Sequence, residues 1–248
     1  MKNLTFPTEN EMKLIEPFIL KRKKKNSQQL KKDGLQWTRT AWENKMDYEV
    51  TWLGIPIIQN PYDIVLMQEL IFKLKPDVIV ETGIAHGGSL IYYSSLLELL
   101  GNGRIIGIDV DIREHNRKLI EKHPLFKRIT MIMGSSIDIS VIKKIKKMIK
   151  PRNVVLILLD SDHQKKHVYA ELNAYKDVVS KGSYMVVFDT FAHNLIGLKG
   201  EKPFFKKENA MEAIKLFVKE NRGSFVVDKY YNKFFVSSCI DGFLKRAK

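Results

Sequence analysis

The sequence predicts an α/β domain built on a doubly wound, mostly parallel sheet. Between residues 78 and 189, five short apolar runs rich in β-branched side chains alternate with longer amphipathic stretches. Several of these runs end on or beside a carboxylate or a small polar residue, the placement expected where ligands meet the carboxyl edge of an open sheet. The 248 residues suffice for one large domain, or for one domain with a short extension. A hydrophobic content of 44% and an aromatic content of 10% support a full core.

The elements follow in order. Residues 1–50 read as a basic accessory segment, and 51–248 as the main domain. The run Lys21-Arg22-Lys23-Lys24-Lys25 is a like-charge stretch, expected to be solvated. The aromatic-rich stretch from Trp37 to Trp52 is a candidate for packing on the main domain or for a lid. In PYDIVLMQELIFKL, Ile64, Met67, Leu70, Ile71 and Leu74 share one helical face, and Pro76 stops the helix. Strands are expected at Val78–Glu81, Arg104–Asp109, Ile129–Met133, Val154–Asp160 and Tyr184–Asp189. Helices are expected at Ser89–Leu99, Arg113–Lys122, Ile139–Lys150 and Lys165–Ser180, each with a polar side. Residues 190–207 lack periodicity and read as a long loop of the kind that serves as a lid. A helix near 208–220 follows. Ser224–Val227 and Lys233–Ser237 read as a terminal antiparallel pair, joined by a turn at 229–232.

Bulk properties bound the function. The formal net charge is +14, carried mostly by lysine, with nine arginines. The chain lacks an aromatic RNA-binding strand motif, so no nucleic-acid partner is expected. Attraction of the basic N-terminal segment to an anionic membrane surface is the charge-based alternative. No apolar run reaches the ~20 residues needed to span a bilayer, and no signal-peptide core follows Met1. One cysteine, Cys239, excludes an intrachain disulfide framework and favours a cytoplasmic setting. A homo-oligomer is expected.

The candidate cofactor loop is Glu81-Thr82-Gly83-Ile84-Ala85-His86-Gly87-Gly88-Ser89. Its glycines permit a sharp turn after the strand and close approach of a ligand. The spacing departs from the dinucleotide pattern, and the loop opens on an acid. Glu81 disfavours a pyrophosphate and suits a ligand bearing sulfonium and ammonium charges, which points to S-adenosylmethionine. A purely structural glycine turn stays open from the loop alone. Asp109, at the next strand end, is placed to accept hydrogen bonds from ribose hydroxyls. Asp111 is the better candidate for capping the following helix. Thr82, Gly83, His86, Ser89, Ser135, Ser136 and Asp160 complete the expected cofactor set.

The fourth strand runs into Asp160-Ser161-Asp162-His163. Carboxylates this close repel unless a cation or donors compensate, and Mg²⁺ suits such a site. Asp189 offers a third carboxylate. Asp162 as a helix cap is the structural alternative. His163 and His167, four apart, are expected on one helix face, with His163 as a candidate general base beside Asp160.

These segments resemble the cephalosporin hydroxylase family, whose members look like class I S-adenosylmethionine methyltransferases and include rhamnosyl O-methyltransferases. The similarity is carried by WLGIPIIQNPYDIVLMQELI, VIVETGIAHGGSLIYYSSLLEL, GRIIGIDVDIREHNR, RITMIMGSS, the LLDSDH segment through Thr190, and FLKR. It implies a Rossmann-like sheet of seven strands with a reversed terminal strand. It also implies cofactor binding by the ETG loop, the Asp109 region and the GSS turn. The implied Mg²⁺ is held by an Asp of the DSDH motif and by a Glu-Asp pair at the fifth strand end. Here that pair reads Phe188-Asp189. The implied activity is methyl transfer to a hydroxyl of a small molecule or glycan, with a hydroxylase-type or non-catalytic partner role as the alternative.

Overall fold

The structure is a computed structural model that describes residues 6–8, 10–14 and 26–248. The basic run at 21–25 falls outside the described residues. No helix among those described is long and apolar enough to cross a membrane.

A helix, α1 (Ser27–Glu43), precedes a small hairpin of β1 (Thr51–Trp52) and β2 (Ile55–Pro56). Then come α2 (Pro61–Leu74), β3 (Val78–Thr82), α3 (Gly88–Leu100), β4 (Arg104–Asp109), α4 (Glu114–Lys122), β5 (Ile129–Met133) and α5 (Ile139–Met148). The second half holds β6 (Val155–Leu159), α6 (Lys165–Tyr175), β7 (Tyr184–Val187), α7 (Ala210–Glu220), β8 (Phe225–Val227) and β9 (Phe243–Arg246). Asn60 starts α2 by accepting from the Tyr62 amide, with Pro61 at the first helical position. Asp138 caps α5 through the Ser140 amide.

The main sheet has seven strands in the order β5-β4-β3-β6-β7-β9-β8. Strands β5, β4, β3, β6 and β7 are parallel, and β9 runs antiparallel to both neighbours. The chain winds outward from β3 to β5, then returns to β6 on the other side. The β3–β6 junction is therefore the switch point where ligands bind in open sheets.

Alternate residues of each strand feed two cores. Ile79, Ile105, Leu156, Leu158 and Val186 pack with α2 and α3. Val80, Ile106, Ile157, Leu159 and Met185 pack with α5, α6 and α7. All ten side chains are fully buried, which explains the uninterrupted apolar runs.

Several expected boundaries shift. The terminal pair is β8 with Phe243–Arg246, not with Lys233–Ser237. Phe243 and Leu244 bury opposite faces, and Phe243 stacks on Tyr231 at 4.3 Å. Phe235 instead takes a positive φ, and Ser237 and Ser238 turn inward to Asp63. Helix α6 ends at Tyr175, ten residues into the expected segment, and the chain turns through Val178 and Val179 back onto Tyr175. The 190–207 loop contains two 3-10 turns, Thr190–Leu195 and Pro203–Phe205. Asp111 does not cap α4: Arg113 holds that position with no side-chain bond to the helix, and Asp111 pairs with Arg113 at the surface.

The glycines of the 83–88 loop turn out to pack against protein. A Cβ on Gly83 would lie 2.0 Å from the Asp160 carbonyl oxygen, and one on Gly88 2.2 Å from that of Pro56. Gly83 also has φ +89°. It lets the turns after β3 and β6 touch, which shapes the switch-point crevice. Gly83→Ala combines strain with a backbone clash and is expected to cost more than about 3 kcal/mol. Thermal unfolding should show a Tm lower by roughly 6–12 °C, and an unchanged Tm would contradict this packing role.

Candidate active site

A cleft of about 290 Å³ opens at the carboxyl ends of β3, β6 and β7. One side is the 83–89 loop, which places Gly83, His86 and Ser89 on the wall. Asp160, Ser161 and His163 line it from the turn after β6, and Phe188 and Asp189 from the end of β7. Pro56–Asn60, Trp42, Asp47, Tyr48 and Ser238 close the rest.

Glu81 sits one layer behind this wall, fully buried. Neither of its carboxylate oxygens has a hydrogen-bond partner. Burial, and next the Asp160 charge, hold its carboxyl well above the usual carboxylate range, with the nearby Ser89 hydroxyl only partly offsetting them. Burial likewise pushes Asp160 up to about 7, with His163 opposing and Asp189 reinforcing the shift. Buried acids with so few compensating donors mark a place that favours a cation.

Asp109 organises the loop. Its carboxylate accepts from the amides of Ile84 at 2.8 Å, Ala85 at 3.2 Å and Asp111 at 3.0 Å. The Ile84 and Ala85 amides both fall on Oδ2, so the lone pair left for a ligand is on Oδ1, which accepts from Asp111 alone. Asn116 adds a bond to the Ala85 carbonyl at 2.9 Å.

The two histidines do not share a face. His163 lies before α6, and its Nε2 is 3.2 Å from Asp189 Oδ2. His167, on the helix, turns the other way, to Ser136 and Ser161 at 3.2 Å and to buried Glu171 at 3.4 Å. The bond to Glu171 holds the His167 pKa above its ordinary value. This arrangement ties the turn after β5 to the turn after β6.

The remaining expected residues fall behind or beside the cleft. Thr82 is fully buried, and its hydroxyl has no partner. The Ser136 hydroxyl faces His167, and its carbonyl accepts from Tyr175. Ser135 and Asp109 are absent from the cleft wall. Asp162 accepts from the Gln164 amide at 2.9 Å, so it serves the start of α6. The expected trio Asp160, Asp162 and Asp189 is therefore not assembled. Among the described residues, no three His, Cys, Asp or Glu side chains converge as a metal-ligand set. Phe188 is buried in the core rather than offered to solvent.

Sequence reasoning missed Gln59, Asn60 and Ser238, and it placed Trp42 and Asp47 only within the Trp37–Trp52 stretch expected to pack on the main domain or form a lid; Trp42 does pack there, against Phe205. Sequence reasoning also missed Asp63, which anchors Ser238. Asp63 accepts from the Ser238 amide at 2.8 Å and from the hydroxyls of Ser237 at 2.5 Å and Ser238 at 2.7 Å. Its burial pushes its pKa up to about 6 despite these donors. A buried Asp in the first turn of an apolar helix was the available signal.

Comparison with known proteins fits this geometry. The family model described as Rhamnosyl O-methyltransferase/CmcI matches residues 44–247. The rhamnosyl O-methyltransferase of Mycobacterium tuberculosis (strain ATCC 25618 / H37Rv) is 27% identical over 218 residues, covering 86% of this chain and 80% of its own. That of Mycobacterium leprae (strain TN) is 25% identical over 201 residues, covering 79% and 82%. An apo structure of CmcI aligns with a TM-score of 0.61 at 19% identity, covering 81% of this chain and 77% of its own. A CmcI structure with Mg and SAM aligns with a TM-score of 0.59 at 18% identity, covering 81% and 78%. A match through nearly all of the sheet and both turns of the cleft settles the family: the chain belongs to the rhamnosyl O-methyltransferase/CmcI family of S-adenosylmethionine-dependent O-methyltransferases.

Proposed function

We propose that this family member methylates a hydroxyl of a sugar or glycoconjugate at the cleft between β3, β6 and β7. The observation that carries the reading is the set of undercompensated acids there: orphaned Glu81 behind the wall, with Asp160 and Asp189 on it. The curated relatives are named for rhamnosyl acceptors, which supports a sugar as substrate.

The residues fit the cofactor. The 83–89 loop offers backbone and Ser89 at the cleft, and the acids behind and beside it suit a positively charged group. Asp109, behind the 83–89 loop, is the candidate ribose acceptor through the lone pair left on Oδ1. S-adenosylmethionine, when bound, supplies a methyl group activated by its sulfonium charge. The protein's own task is alignment and proton removal.

His163 is the candidate base. The tautomer that donates Nε2–H to Asp189 leaves Nδ1 with the lone pair that takes the acceptor's proton. Asp189 then stabilises the imidazolium. Asp160 and Asp189 are the two carboxylates available to Mg²⁺. Mg²⁺ often sits on one or two carboxylates and keeps several waters, so this pair is compatible with it despite Phe188.

The test is methyl transfer from labelled S-adenosylmethionine to glycosides, alongside calorimetric cofactor binding. Replacing His163 with Ala is expected to lower kcat by about 10²–10⁴-fold while leaving cofactor affinity nearly unchanged. Equal kcat in the variant would remove the base role. Chelation with EDTA is expected to lower turnover, and added Mg²⁺ to restore it, with cofactor binding preserved. Full turnover after chelation would leave the metal out of the reaction.

A further inference from the structure

The cleft has an annex. A smaller cavity of about 50 Å³ shares Trp42, Asp47, Asn60, Asp189 and Ser238 with the main cleft, but none of the 83–89 loop. It extends the crevice away from the cofactor side, beneath α1 and the 190–205 segment. On the reading above, this is the acceptor side.

Helix α1 is firmly fixed as the roof of this annex. Arg39 donates to the carbonyls of Asn194 and Ile196. Gly34 packs so closely that a Cβ there would lie 2.8 Å from the Phe235 carbonyl oxygen. Trp42 meets Phe205 edge-on, with ring centroids 6.0 Å apart. The indole is therefore held in place while still forming cavity wall. The turn after α1 adds Asp47 and Tyr48, and Tyr48 is 62% exposed.

The charge of this region opposes that of the molecule. The chain carries a formal net charge of +14. Yet among the described residues no lysine or arginine lines either cavity, while Asp47, Asp160 and Asp189 do. Burial and the neighbouring Asp189 charge raise the Asp47 pKa, as expected for carboxylates sharing one enclosed space. Such a wall repels phosphates and carboxylates. It attracts hydroxyl donors, and fixed aromatic rings supply a flat apolar surface for a ring that has one apolar face.

We infer that Trp42 and Asp47 recognise the acceptor, Trp42 as a stacking platform and Asp47 as a hydroxyl acceptor, and that they select an uncharged glycosyl ring over an anionic one. The inference rests on the sugar O-methyltransferase reading and assigns its specificity. Trp42 and the rest of α1 lie upstream of residue 44, where the family match begins. The helix is thus part of the acceptor site, not merely a basic extension.

The experiment uses the full chain and a panel of neutral methyl glycosides, including methyl rhamnopyranoside, beside sugar phosphates and uronates. Transfer from labelled S-adenosylmethionine is measured, with cofactor affinity and Tm recorded for every variant. The wild type is expected to methylate at least one neutral glycoside and none of the anionic ones. Trp42→Ala and Asp47→Asn are expected to raise KM for that glycoside by about tenfold or more. Trp42→Phe should recover most of the loss, and cofactor affinity should stay within about twofold in all three. Transfer to anionic sugars alone, unchanged KM in both variants, or cofactor binding without transfer to any neutral glycoside would each overturn the inference. Failure of the wild type to bind the cofactor at all would overturn the methyltransferase reading beneath it.

Discussion

Three carboxylates crowd the carboxyl ends of adjacent strands, and the rest of the site is arranged around their repulsion. Glu81 is the penultimate residue of β3, and neither of its carboxylate oxygens has a hydrogen-bond partner. Asp160 follows β6, and Asp189 follows β7. Parallel strands in register leave their side chains no freedom to separate: Glu81 pairs with Leu158, and Thr82 with Leu159. The backbone also closes in, since Gly83 lies against the Asp160 carbonyl. Burial at Glu81 and Asp160 removes the water that would screen their charges, so these two acids rise in pKa rather than relax. The fold thus holds Glu81 and Asp160 in an unfavourable arrangement. That is the usual signature of a binding site rather than of a stability device.

The supporting structure is tied to this constraint. Asp109 spends its hydrogen bonds on the amides of Ile84 and Ala85, fixing the loop that follows Glu81. His163 sets an ionisable donor against Asp189 on the cleft wall. Behind them, His167 bridges Ser136, Ser161 and Glu171, which ties the turns after β5 and β6 together. Asp63 does the same for Ser238 on the opposite wall. A site held by several such anchors is preorganised, which matters for a reaction whose protein contribution is alignment.

Much of this was legible in the sequence. The five parallel strands lie within two residues of where their apolar runs place them, because strands covered on both faces need continuous β-branched stretches. The strand-end acids follow from that placement. Strand β9 was harder to see: FLKR offers only Phe243 and Leu244 as an apolar signal, whereas Lys233–Ser237 reads as a better strand but is drawn into a turn by Asp63. The histidine pair misled because i, i+4 geometry requires both residues to be helical, and α6 begins only at Lys165. The wall of the cleft opposite the 83–89 loop was illegible for another reason. Trp42, Asp47, Gln59 and Ser238 come together through long-range packing of α1 and the C-terminal loop, which no local periodicity encodes. Asp162 shows the converse: its spacing from Asp160 suited a metal, yet the local demand of the chain leading into α6 claimed it.

The central claim is that Glu81 is left without a hydrogen-bond partner so that the cofactor's positive charge can compensate it. It is tested most directly by thermal unfolding of the wild type and of Glu81→Gln at pH 8, with and without S-adenosylmethionine. A buried acid with a raised pKa stabilises the fold while protonated, and that contribution is lost as pH rises through its folded pKa. At pH 8 the glutamine should therefore melt at or above the wild type when the cofactor is absent. With the cofactor present, the wild type should gain far more than the variant, whose affinity should fall by about tenfold or more. A variant that melts lower without the cofactor, yet gains as much from it as the wild type, would contradict the account.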